Sequence, residues 1–85
     1  MDKPFEEAVS LTKKFTTRPS NEELLRLYAL FKQSTEGDVQ DERPGGFDFK
    51  AIAKYDAWQE LKGKPTQDAQ SEYVVLVTAL SEKYL

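Results

Sequence analysis

Lys32 and Lys54 are the residues whose setting points to chemistry, because each lies among aromatic side chains at helical spacing. Wound at about 100° per residue, the segment that stops at Gly37 puts Leu24, Tyr28, Phe31 and Thr35 on one stripe. Lys32 falls between Tyr28 and Leu25, on the edge of that apolar arc, while Glu22, Arg26 and Gln33 take the polar side. Between Phe47 and Leu61 a second arc carries Ala51, Tyr55, Ala57, Trp58 and Leu61, and Lys54 projects between Trp58 and Leu61. An ammonium group in such a place must snorkel to water along its stem or meet an anion. Two of them beside aromatic rings point to a flat, anionic, partly greasy ligand. On periodicity alone, snorkelling remains the stronger reading for both.

Other chemistries are short of parts. The chain has no histidine, which removes the commonest general base and metal ligand, and no cysteine, which removes disulfides and metal–thiolate sites. No Ser/His/Asp arrangement can exist. A net charge of −3 argues against a general nucleic-acid binder, whose footprint is basic. The 85 residues suffice for one domain, residues 1–85. A domain of this size buries only roughly 60–65% of its unfolded surface, so a groove is a more natural site than a deep cavity. The charged start of the chain, Met1 to Ala8, does not read as a signal peptide. No apolar run approaches the ~20 residues needed to span a bilayer. The expectation is a cytoplasmic protein without membrane insertion.

Four helices must position the lysines. The first is expected over residues 4–14, with Pro4 in its first turn, Glu6 and Glu7 near its positive end, and Lys13 and Lys14 near its negative end. Phe5, Ala8, Val9 and Thr12 share its face. Pro19 restricts Arg18 to extended conformations. The second helix, 20–36, opens on a capping box from Ser20 to Glu23 and ends at Gly37. The third, 48–61, is capped by Asp48. The fourth, 66–84, is expected to be capped by Thr66 and carries a stripe of Ala69, Tyr73, Leu76, Val77, Leu80 and Tyr84. The long connection from Asp38 to Asp48 is unusual between antiparallel neighbours and lets helices two and three run parallel. The pattern is that of an all-α bundle.

The segment Tyr28 to Asp38, then Arg43-Pro44-Gly45, Asp48-Phe49-Lys50, Ala53 to Trp58, Leu61-Lys62-Gly63 and Tyr73, resembles the acyl-CoA-binding protein family over essentially the whole chain. The resemblance implies a four-helix up-down-down-up bundle and a non-enzymatic carrier of medium- and long-chain acyl-CoA thioesters, with no cofactor. It implies that Tyr28, Lys32 and Lys54 hold the adenosine 3′-phosphate, within a ligand span that also takes in Ala29, Leu30 and Phe31. Further contacts match Lys13, Lys50 and Tyr73. The sequence departs from the family pattern in three places. Phe31 stands for a tyrosine, Tyr55 for a tryptophan, and Ile52 for a residue that is often basic.

Phe31 beside a lysine offers a face for an adenine ring, although Tyr28, Phe31 and Tyr73 also read as plain core aromatics. Lys13 and Lys50 are helix-border lysines that read equally as ligand contacts and as solvated charges. Leu24, Leu25, Ala53 and Tyr55, with Ala8 and Val9, are the candidates for an acyl slot. Trp58, Leu76 and Leu80 are assigned to the core. The competing functional reading is a helical interaction module that takes an amphipathic peptide. A monomer with transient contacts to acyl-CoA-using enzymes is expected.

Overall fold

The computed structural model describes residues 2–85 and contains four helices among them. Helix α1 spans Lys3–Thr12, and its first turn is held by the Asp2 carboxylate, which accepts from the Phe5 N–H at 2.9 Å. Helix α2 spans Asn21–Glu36 and starts in the expected reciprocal cap. The Glu23 N–H donates to Ser20 Oγ, and the Ser20 N–H donates to Glu23 Oε1. Gly37, at φ 79°, takes the chain out of α2 through a backbone conformation that side chains disfavour. Helix α3 spans Phe49–Gln59, with Asp48 accepting from the Ala51 N–H. Helix α4 spans Thr66–Tyr84.

The helix ends depart from the expected ones in a consistent way. Helix α1 stops at Thr12 and α3 at Gln59 because the chain then tightens into i→i−3 bonds, Lys14 N to Leu11 O and Leu61 N to Trp58 O. Lys13 is therefore the C-cap of α1 and lies beyond its last turn. Thr66 does not cap α4. Pro65 holds that place in extended backbone without a side-chain cap bond, and Thr66 is already helical.

Contacts along the helices fix their directions. The N-terminal halves of α2 and α3 line one cavity, and their C-terminal halves meet through Gln33 and Trp58, so this pair runs parallel. Ser34, late in α2, meets Gln70, early in α4, while Glu23, early in α2, meets Lys83 and Tyr84 at the end of α4; that pair is antiparallel. Phe5 touches Tyr73, and Phe15, just past α1, touches Tyr84, so α1 and α4 run the same way. The order is up-down-down-up, as the family resemblance implied.

Helix α2 packs on α4 and α3, and α1 packs on α4, whereas α3 packs on α2 alone. The body measures 36 × 27 × 15 Å, and this flatness leaves the α2–α3 seam open on its faces. The larger core cluster joins α1, α2 and α4 through Phe5, Ala8, Leu27, Leu30, Ala69, Tyr73, Val77 and Leu80. A smaller cluster of Ala29, Val39 and Trp58 closes the C-terminal half of the α2–α3 seam.

Gln33 corrects the sequence reading. It was expected on the polar side of α2, yet it is completely buried. Its amide donates to Asp38 Oδ1 and to the Lys64 carbonyl, each at 2.8 Å, and its oxygen accepts from the Trp58 indole N–H at 3.1 Å. Trp58 is core, as expected, and its N–H also reaches the Gly37 carbonyl at 2.9 Å. A buried amide with every partner supplied fixes where α2, α3 and the turn before α4 meet. The Asp38 carboxyl is held below its ordinary range by the Gly63 N–H and then by Gln33.

Candidate functional site

Because Leu27, Leu30 and Gln33 take the buried face of α2, the stripe of Leu24, Tyr28 and Phe31 is left half-exposed. That stripe forms the floor of a groove. Thr35, at the end of the same stripe, is exposed and contributes nothing to it. One part of the groove, about 580 Å³, lies under the α1–α2 linker between Thr12, Phe15, Leu27, Phe31 and Tyr73. The other part, about 650 Å³, lies between α2 and α3 and is lined by Asn21, Leu25, Phe49, Lys50, Ala53 and Lys54. Arg18, Leu24 and Tyr28 line both parts, so the two are continuous across Tyr28.

The α2–α3 part has cations and no acid in its lining. Lys54 Nζ lies 5.2 Å from the Tyr28 ring centroid, in cation–π range. Arg18 donates to Asn21 Oδ1 at 3.1 Å. None of Arg18, Lys50 and Lys54 has a carboxylate partner among the described residues. In a protein of net charge −3, these groups give the groove a local field opposite to that of the whole molecule.

Lys32 is placed differently. Its Nζ lies 5.1 Å from the Trp58 ring centroid and pairs with Glu36 one turn on. The Glu36 carboxylate raises the Lys32 pKa, against the opposing effect of burial. An arriving anion must therefore draw Lys32 away from Glu36 or share it.

Phe31 and Tyr73 belong to an aromatic group with Phe5. Phe31 stacks on Phe5 with centroids 6.0 Å apart, and Tyr73 meets Phe5 at 5.0 Å. Both rings also face the linker cavity, so they serve core and groove together. Burial pushes the Tyr73 phenol up, partly offset by the Thr12 hydroxyl, and it remains a neutral donor at physiological pH.

The residues singled out from sequence are thus only partly brought together. Tyr28, Phe31, Lys50, Lys54 and Tyr73 line the groove. Ala29 and Leu30 are buried and line neither part of the groove; they border a hollow with Arg26, Ala57 and Glu60 that meets the α2–α3 part only at Leu25. Lys13 is exposed at the end of α1 and lines neither part. Of the expected acyl slot, Leu24, Leu25 and Ala53 line the α2–α3 part. Ala8 and Val9 instead pack into the core, and Tyr55 packs against the Trp58 cluster.

Arg18 and Phe49 are additions that sequence reasoning passed over. Arg18 sits in a non-helical linker, where periodicity has no say. Its signal was Pro19, which holds it extended at the start of α2. Phe49 sat in the motif Asp48-Phe49-Lys50, with no cue that its ring would stay outside the core.

A groove of this kind sets cations beside an apolar lining. No cluster of three or more metal-binding side chains occurs among the described residues.

A model of the family described as "Acyl CoA binding protein" matches residues 2–77. An acyl-CoA-binding protein homolog 1 from Caenorhabditis elegans is 52% identical over 80 residues, covering 94% of this chain and 93% of that protein. The acyl-CoA-binding protein of Saccharomyces cerevisiae is 49% identical over 80 residues, covering 94% and 92% of the two chains. The crystal structure of acyl-CoA-binding protein 2 from Oryza sativa superposes with a TM-score of 0.88 at 40% identity, over 94% of this chain and 89% of that one. The chain therefore belongs to the acyl-CoA-binding protein family.

Proposed function

We propose that the protein binds medium- and long-chain acyl-CoA thioesters in the α2–α3 groove and carries them without altering them. The observation that supports this most directly is the continuity of the groove. Cations without acidic partners (Arg18, Lys50 and Lys54) share one lining with apolar Leu24, Leu25 and Ala53. An acyl-CoA needs both, a site for phosphate and a slot for a chain.

In this reading Tyr28, Lys32 and Lys54 take the adenosine 3′-phosphate, whose several acceptor oxygens suit ammonium groups converging from two helices. Phe31 stacks on adenine, with Tyr73 behind it. Lys50 and Arg18 meet the pyrophosphate, and Lys13 adds charge from the end of α1. Ala29 and Leu30 form the backing of the Tyr28–Lys32 turn. The protein works inside the cell as a monomer and hands its ligand to enzymes that consume it. No described helix is long and apolar enough to cross a membrane. The amphipathic-peptide alternative is not favoured, since a peptide groove rarely needs a lining of cations alone.

Calorimetric titration with palmitoyl-CoA, free CoA and palmitate tests the reading. Each buried methylene is worth ~0.8 kcal/mol, so affinity should climb as the chain lengthens and flatten once the slot is full. Palmitate, which lacks the phosphate anchor, should bind far more weakly than its CoA ester. Equal affinities would overturn the site. Release of free CoA on incubation would show an enzyme instead of a carrier.

A further inference from the structure

Arg18, Lys50 and Lys54 have no carboxylate partner among the described residues, whereas Lys32, one turn beyond Tyr28, pairs its Nζ with Glu36 Oε2. The Lys32 side chain is 24% exposed and that of Glu36 53%. The ammonium also lies 5.1 Å from the Trp58 ring centroid. It is thus held by a ring and a carboxylate, and Asp41 of the following loop adds a weaker attraction. Helix stability does not account for the acid. Glu36 is the last residue of α2, where the negative end of the helix dipole disfavours a carboxylate. The last turn carries no basic residue to offset it. A lysine followed four residues on by a glutamate is also the weaker order of such a pair.

We propose that Glu36 is a positioning residue that sets how tightly an acyl-CoA is held, by occupying Lys32 in place of the ligand's 3′-phosphate while the groove is empty. The inference rests on the acyl-CoA reading and deepens it. Carboxylate and phosphate offer an ammonium the same thing, anionic oxygens that accept its N–H bonds. With Glu36 present, Lys32 exchanges one anion for another, and the ligand gains only the difference. Apparent affinity falls in proportion to the fraction of molecules in which Lys32 is free to receive it. As the phosphate leaves, Glu36 takes the ammonium back, so departure strands no unpaired charge against Trp58. A carrier needs such an exit, because a ligand held too tightly is not delivered. Lys54 has no internal acceptor and supplies the constant part of the anchor, whereas Lys32 supplies an adjustable part.

The test is Glu36→Gln, titrated by calorimetry with palmitoyl-CoA and with palmitoyl-dephospho-CoA, and followed by stopped-flow displacement. The variant should bind palmitoyl-CoA about two- to fivefold more tightly than wild type, as suits a partly exposed ion pair, and mostly through slower release. The dephospho ester lacks the 3′-phosphate and should bind both proteins alike. In a Lys32→Ala background the same change at Glu36 should do much less, because no ammonium is left to compete for. Urea unfolding of Glu36→Gln should match that of wild type. A variant that loses stability and gains no affinity would show an ordinary helix pair and overturn the proposal. So would weaker binding of palmitoyl-CoA, since Glu36 would then be aiming Lys32 at the ligand. An equal gain for both esters, or an equal gain with and without Lys32, overturns it as well, because Glu36 would then act by overall charge. A wild type that binds no palmitoyl-CoA strikes the acyl-CoA reading and this inference together. A wild type that binds it no less tightly than the variant strikes the inference alone.

Discussion

At the C-terminal ends of α2 and α3, the Trp58 indole N–H is shared between Gln33 and Gly37, and the Gln33 amide is satisfied by Asp38 and Lys64. At the N-terminal ends of the same two helices, Arg18, Lys50 and Lys54 line a groove with no carboxylate partner among the described residues. One parallel pair is thus closed at one end and open at the other. The closed end spends its polar groups on itself, which makes it rigid and specific in packing. The open end leaves its cations without a neutralising carboxylate, in water, where they cost little until an anion arrives. Substitutions at the two ends should therefore separate stability from binding.

The closed end should give the largest effect. Trp58→Ala removes a buried ring and leaves the Gln33 oxygen without its donor, and should cost ~3–5 kcal/mol of folding stability. Small domains have only ~5–15 kcal/mol in all, so the urea midpoint should fall steeply. Gln33→Leu keeps the volume but orphans the partners, and should cost ~1–3 kcal/mol. Either variant that folds should still bind palmitoyl-CoA. A Gln33→Leu protein that is stable but no longer binds would place the hub in the ligand site and undo the contrast.

Lys54→Ala should behave in the opposite way. A charge-assisted bond to phosphate is worth ~1.5–3 kcal/mol, or roughly 10- to 150-fold in affinity. The stability change should stay within the ~0.5–1 kcal/mol of its cation–π contact with Tyr28. Lys32→Ala should lose less affinity than Lys54→Ala, since Lys32 must first give up Glu36. The two losses should be less than additive if both address one phosphate. The dephospho-CoA ester is the control. Wild type should bind it more weakly than the full ester, and the lysine variants should lose much less on the same change. Variants that still discriminate like wild type would show that these lysines do not read the 3′-phosphate.

The contrast between the two ends also explains what could be read from the sequence. The four helices, the Ser20–Glu23 and Asp48 caps and the parallel middle pair were legible, because periodicity, capping chemistry and loop length are local signals. Lys32 and Lys54 were legible in kind, as lysines among aromatic rings. Spacing along one helix put Lys32 by Tyr28 and Lys54 by Trp58, whereas across the seam Lys54 faces Tyr28 and Lys32 faces Trp58. Gln33 was not, because a glutamine reads as surface unless the three groups that satisfy it are known, and two of them lie across the chain at Trp58 and Lys64. Arg18 was hidden in a linker that has no period. The pairing of Lys32 with Glu36 depends on rotamers that spacing permits but does not choose. Trp58 and Leu80 fell where the stripes put them, and Leu76 stayed only partly buried.

Phe31 sits between the two kinds of region, since its ring belongs to the Phe5–Tyr73 group and also faces the linker cavity. Phe31→Ala should weaken palmitoyl-CoA binding by ~1–3 kcal/mol through loss of the stacking face. It should also lower stability, because aromatic pairs contribute ~0.5–1.5 kcal/mol beyond their area. Phe31→Tyr should change binding by no more than one hydrogen bond, ~0.5–1.5 kcal/mol. If Phe31→Ala loses stability and keeps full affinity, the ring is core and no more.

The smallest effect should come from the outer side of the open end, where Glu23 ties the start of α2 to the end of α4. Its carboxylate accepts from Lys83 and Tyr84 as well as from Ser20, and these bonds lower its pKa from the ordinary 4.5 to about 2, with Lys83 the largest cause. A depressed carboxylate pKa means that the stabilisation is fully present above the ordinary value. It is lost as pH falls from about 4.5 through about 2. Thr16 adds a bond from its N–H to the Tyr84 carbonyl at 2.6 Å, so loosening this corner also loosens the linker that carries Arg18. Asp38 and Asp56 are depressed too, the second by Arg43, and both remain in any Glu23 variant. Glu23→Gln keeps one oxygen for the Ser20 N–H and the Tyr84 hydroxyl, and removes the titration together with the acceptor and charge that hold Lys83. In urea melts across that acid window, wild type should lose slightly more stability than Glu23→Gln, and the gap should shrink in high salt. It should be far smaller than the pKa shift alone implies, because solvent screens an exposed pair. Melts that fall in parallel at every pH would mean the clamp contributes nothing, and that the groove end is held by its helix caps and core alone.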